Sequence, residues 1–222
     1  MAADPSSRMP GAIAFPRLGL LLGAGLLGLV ACQTPSPTAG GGLTREERFH
    51  SCLLCHSTRE MQRGPILNGL ETWYAEAQMN KFRSGIRGGK PENPGEHLMG
   101  TAGLQHLAHD REVKAMARVI GKLQPVAHRK TVRGDRENGK RIYQRCIACH
   151  GNKAEGKRLL KSPQLAYLED WYLLDQMRKF VRGQRGYHAD DASGLLMAKS
   201  SEALGDQDLK DVTTYIVDAF GL

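Results

Sequence analysis

No segment of this 222-residue chain alternates apolar and polar residues well enough to argue a β-strand. That absence speaks against sheet folds, and against the βαβ setting in which a Cys-x-x-Cys pair acts as a redox dithiol. Long apolar runs are also missing. The most hydrophobic stretch, Leu18 to Ala31, is too short to span a bilayer comfortably. Unassigned cysteine is nearly absent: of five cysteines, four fall into two pairs and only Cys32 stands alone.

The short apolar run follows Arg8 and Arg17 and reads as the h-region of a signal peptide, so export is expected. It ends in Leu29-Val30-Ala31-Cys32, which resembles the lipobox of bacterial lipoproteins. Cys32 would then carry the lipid, and residues 1–32 are expected to be signal and anchor. Ordinary cleavage just downstream is the alternative. Residues 33–42, "QTPSPTAGGG", have the composition of a flexible tether that could reach roughly 35 Å when extended. Without residues 1–32 the chain keeps 29 Lys and Arg against 22 Asp and Glu, a net charge of +7. Such a surface suits acidic protein partners or anionic lipid, and export argues against nucleic acid.

What the chain does contain is the same small motif twice. "CLLCH" at 52–56 and "CIACH" at 146–150 match the Cys-x-x-Cys-His pattern of c-type haem attachment. Residues i and i+3 share a helical face, so both sulfurs can form thioethers to one porphyrin while the adjacent imidazole meets the iron. A four-ligand zinc site is the first rival. Cys52, Cys55, Cys146 and Cys149 are therefore expected to hold two covalently bound haem c groups, with His56 and His150 as iron ligands.

The duplication extends further. "GLETWYAEAQMNKFRSGIRG" (69–88) and "YLEDWYLLDQMRKFVRGQRG" (167–186) coincide at one offset, 98, at Leu70, Glu71, Trp73, Tyr74, Gln78, Met79, Lys81, Phe82, Gly85, Arg87 and Gly88. The haem motifs are offset by 94, so the second copy holds four extra residues within "GNKAEGKRLLK". Each copy reads as helical. Thr44 and Glu47 form a capping box before a short helix into Cys52. A middle helix carries Trp73, Met79 and Phe82, or their partners, and stops at glycines. A final helix begins near Asp110 or Asp206 with an apolar face of helical period. The tandem copies are expected at 43–127 and 128–222, with Pro125 near the end of the first.

Two methionine pairs repeat, whereas no histidine outside the haem motifs does. Met79 and Met177 lie within amphipathic helices and are expected to fill core. Met99 and Met197 are read as loop residues able to fold over the far face of each haem. They are the candidate sixth ligands, with His97 as competitor in the first copy. Methionine there raises the potential and favours electron transfer, whereas an open position admits small ligands. Trp73 and Trp171 could donate to haem propionates or fill core. Arg87 and Arg185 could pair with propionates or sit solvated at the surface.

The order Cys-x-x-Cys-His, "LExWYxxxQMxKFxxGxRG", methionine and a final helix opening "GDQDLKDVTTYI" resembles the dihaem cytochromes c of the cytochrome c4 type, over about residues 43–222. The resemblance implies an all-α chain of two tandem class I cytochrome c domains, with His56/Met99 and His150/Met197 as axial pairs. It implies a periplasmic carrier of single electrons, whose redox partners would be a quinol-oxidising complex or dehydrogenase as donor and a terminal oxidase or reductase as acceptor. A dihaem enzyme, such as a peroxidase or a thiosulfate-oxidising cytochrome, is the alternative, as is the cytochrome subunit of a larger dehydrogenase. Gly139 suits a close crossing of the first and last helices of the second copy. The equivalent residue in the first copy is Arg45, so that crossing is expected to differ there.

Overall fold

The computed structural model describes residues 43–57 and 63–222. Cys32, the signal and the tether lie outside them. The described residues are helical, and their only β feature is an isolated bridge between Lys157 and Ser162. No described helix is long and apolar enough to cross a membrane.

Four helices precede residue 127: α1 (Arg45–His56), α2 (Thr72–Arg83), α3 (Pro94–His106) and α4 (Asp110–Ile120). After it come α5 (Arg136–Tyr143), α6 (Ile147–His150), α7 (Asp170–Val181), α8 (Ala192–Ser201) and α9 (Asp206–Phe220). The capping box at Thr44 and Glu47 is present: the Glu47 amide donates to the Thr44 hydroxyl at 3.2 Å, and the Thr44 amide to Glu47 at 2.9 Å. The middle helices end as the glycines require, with Gly85 at φ 74° and Gly183 at φ 65°, conformations costly for any residue with a Cβ.

Each copy has its own core. Met79, Val113, Met116 and Ile120 pack with Leu67 and Ala75 in the first. Met177, Leu209, Val212 and Ile216 pack with Tyr143 and Leu173 in the second. Val113, Met116 and Val212 are wholly buried, as the period of the final helices predicts.

The helix crossings differ as expected. A Cβ on Gly139 would overlap the backbone carbonyl of Asp211, so α5 and α9 touch main chain to main chain. Asp211 secures that contact by accepting from the Asp135 amide and the Asn138 side chain, both at 2.7 Å. In the first copy Arg45 is exposed. The buried Arg48, three residues on, ties α1 to α4 by donating to the His106 carbonyl and to Glu112.

One expectation is corrected. Met99 and Met197 are not in loops but inside α3 and α8. Pro94 sits in the first turn, where its fixed φ begins a helix rather than breaking one. Gly100 and Gly103 are buried against the end of α2. That packing stabilises a helix whose glycines count against it in isolation. In the second copy, the four extra residues contribute to a short 3-10 turn at Arg158–Leu160, closed by the Lys157–Ser162 bridge.

Candidate functional site

Cys52, Cys55 and His56 occupy the last turns of α1, which runs unbroken through the motif. In the second copy the helix breaks at Gln144. Cys146 then caps α6, which carries Cys149 and His150. All four thiols are free of disulfides and partly accessible. Burial pushes the Cys52 and Cys146 thiols above their usual range, opposite to the thiolate that a reactive dithiol requires. Among the described residues, no group of three or more His, Cys, Asp or Glu side chains gathers as a protein-only metal site needs.

The histidines are held alike. Nδ1 of His56 lies 2.7 Å from the carbonyl of Pro65, and Nδ1 of His150 lies 3.0 Å from that of Pro163. A carbonyl only accepts, so Nδ1 carries the proton and the lone pair is on Nε2, the nitrogen a haem iron would take. Burial lowers both histidine pKa values, outweighing the hydrogen bonds that act to raise them. The neutral, ligating form is thereby favoured at pH 7. Gly64 leaves room for the ring: a Cβ there would be 2.6 Å from Cε1 of His56. The chemistry of this donor set, two thiols and one oriented neutral imidazole per copy, fits haem c.

Pro65 and Pro163 escaped the sequence reading, although they share the offset of 98 and stand just before the aligned segment.

Met99 and Met197 sit half-buried at matching positions of α3 and α8, while Met79 and Met177 lie in the two cores. His97 points its Nδ1 toward the Gly88 carbonyl at 3.1 Å.

The arginines and Trp73 have hydrogen-bond partners within the protein. Arg87 and Arg185 are not solvated; they are 4% and 8% exposed and occupy the junction between the copies. Arg87 donates to Glu96 through Nε at 3.0 Å, and also to Gln78 and Gln176. Arg185 donates to Gln176, Gln78 and Tyr74. Each guanidinium also stacks over a phenylalanine of its own copy, Phe82 or Phe180, 4.5 Å from the ring centre. Trp73 donates its indole N–H to Glu71 at 2.8 Å, and each tryptophan meets its neighbouring tyrosine edge-on.

Glu71 and Glu169 were counted in the repeat but given no role. Glu169 accepts the amide of Ile66 at 2.8 Å, and Glu71 accepts the amide of Gln164 at 3.1 Å. Both bonds cross from one copy to the other.

Residues 136–219 match the Cytochrome c family. Cytochrome c4 of Azotobacter vinelandii is 23% identical over 212 residues, covering 89% of this chain and 95% of the relative. In fold the chain is similar to cytochrome c4 of Acidithiobacillus ferrooxidans, with a TM-score of 0.59 and 22% identity, covering 75% of this chain and 97% of the other. Reduced recombinant cytochrome c4 of Pseudomonas stutzeri gives 0.59 and 19%, covering 80% and 98%. A thiosulfate dehydrogenase of Marichromatium purpuratum gives 0.60 and 23%, over 74% of this chain but 35% of that one. The helical fold, the paired Cys-x-x-Cys-His sites and these relatives agree: the chain is similar to the cytochromes c4 in sequence and fold, and its residues 136–219 match the Cytochrome c family.

Proposed function

We propose that this c-type cytochrome is an exported dihaem electron carrier. The observation that carries the reading is the matched orientation of His56 and His150, each fixed through Nδ1 by a proline carbonyl beside a pair of free cysteines. Haem c bound at each motif would supply reversible Fe(III)/Fe(II) cycling. The chain supplies the rest. Cys52 with Cys55, and Cys146 with Cys149, would tether the two groups; His56 and His150 would be iron ligands, with Met99 and Met197 as the further ligands of the two irons. Burial of His150 and partial burial of His56 limit water at both sites, which favours low reorganisation.

The basic balance of the chain favours docking to acidic redox proteins. A quinol-oxidising complex or dehydrogenase is the expected donor, and a terminal oxidase or reductase the acceptor. Lipidation at Cys32 would hold the carrier at the periplasmic face of a membrane.

A denatured-haem assay with a redox titration tests the reading. Two haems per chain and two one-electron waves are expected; one haem or none overturns it. The fold likeness to a thiosulfate dehydrogenase supports a second reading as an enzyme. Thiosulfate-dependent reduction of the purified protein, with carbon monoxide binding to the resting reduced form, would favour that reading.

A further inference from the structure

The peptide group between Pro65 and Ile66 faces two ways. Its carbonyl receives Nδ1–H of His56 at 2.7 Å, and its N–H is donated to the Glu169 carboxylate at 2.8 Å. The group between Pro163 and Gln164 repeats this, with His150 at 3.0 Å and Glu71 at 3.1 Å. A trans peptide is rigid and planar, with its N–H and C=O directed oppositely, so fixing one end fixes the other. Ile66 and Glu169 are 5% and 6% exposed, so little water competes for the first bond. Hydrogen bonds in series through one polar group also reinforce each other, most where the terminal acceptor is charged.

We propose that Glu71 and Glu169 are crossed positioning residues: each copy's glutamate orients and polarises the peptide that aims the other copy's axial histidine. Glu169 therefore acts on His56 and Glu71 on His150. A carboxylate on the peptide N–H makes the carbonyl a stronger acceptor. The stronger acceptor draws the Nδ1 proton, gives Nε2 more electron density and favours Fe(III). Each glutamate thus lowers the potential of the iron centre in the other copy. The two redox centres are built from both halves of the chain, so neither copy reproduces its own centre alone. The proposal rests on His56 and His150 being the iron ligands.

The test uses the full-length haem-loaded protein with Glu169→Gln, Glu169→Ala, Glu71→Gln and Glu71→Ala. Gln keeps an acceptor and removes the charge, so its effect should be smaller than that of Ala. The readouts are potentiometric titration and the Nδ1–H resonances of the two histidines in the reduced protein. With Glu169→Ala, one potential should rise by a change on the order of tenfold in the Fe(III)/Fe(II) equilibrium constant, about 59 mV for one electron. The His56 resonance should move and that of His150 should stay. Glu71→Ala should give the converse. Both resonances unmoved, or movement confined to the copy carrying the substitution, overturns the proposal. A purely structural role would lower the melting temperature and leave potentials and resonances in place, which also overturns it. Failure of the haem reading itself would be visible beforehand, as a wild-type protein without two haems.

Discussion

Arg185 of the second copy donates to the phenol oxygen of Tyr74 in the first at 3.0 Å, and Arg87 of the first donates to Tyr172 of the second at 3.3 Å. The two bonds are related by the repeat offset, yet their surroundings differ in charge. Arg87 has the carboxylate of Glu96 beside it, whereas the hydrogen-bond partners of Arg185 are neutral. Arg87→Ala would strip the buried Glu96 of its hydrogen-bonded cation and leave only Lys179, 4.0 Å away, to pair with it, at a cost of about 3–5 kcal/mol. Arg185→Ala removes bonds to neutral groups and should cost about 1–3 kcal/mol. Denaturant titration of both variants measures the difference, and equal costs would count against this division of roles.

Acid should weaken the same junction. Burial acts to raise the Glu96 pKa, but Arg87, Arg185 and Lys179 outweigh it and hold the carboxyl below its usual 4.5. A group depressed in the folded state contributes stability that is present above its unfolded pKa and lost as pH falls through its folded one. Stability should therefore fall below about pH 4.5, and Glu96→Gln should flatten that limb of the profile while lowering stability at pH 7. Thermal melts at stepped pH check both effects.

Gly139→Ala should destabilise the second copy by about 1–3 kcal/mol or more, because the added carbon meets the Asp211 main chain, which cannot turn aside. Arg45→Ala, at the equivalent exposed position, should change stability by less than about 0.5 kcal/mol. Melting temperatures of the two variants make the comparison.

Met99→Ala and Met197→Ala should each open one iron to carbon monoxide and lower its potential, since methionine ligation raises it. Absorption spectra under carbon monoxide and a redox titration give the answer. Unchanged ligand binding in both variants would remove these methionines from the iron.

Much of this architecture was legible in the residues. The capping box at Thr44 and the apolar period of α4 and α9 are local signals, and local physics decides them. The Met99 helix was misread as loop because Pro94, Gly95, Gly100 and Gly103 are poor helix formers, and only packing against α2 overrides that. The protein acceptors of Arg87 and Trp73 were not visible in the sequence, which offers only propionate pairing, core filling or a solvated surface for them. For Arg87 those acceptors include Gln176, 89 residues away on the other copy. The crossed role of Glu71 and Glu169 was hidden for the same reason. The repeat revealed that both matter in each copy but not that they reach across.

The junction has a consequence for descent. Glu169 to Ile66 and Glu71 to Gln164, like Arg185 to Tyr74 and Arg87 to Tyr172, are reciprocal contacts of one self-mating surface. A face that fits its own rotated twin needs no invention when a gene doubles, because both sides arrive together. Divergence then shows where the twins disagree. At the offset of 98, Glu96 aligns with Gly194 and Asp191 with Asn93, so each sibling has an acid the other lacks. Neither could now be exchanged for a second copy of its brother without leaving the seam wrongly charged.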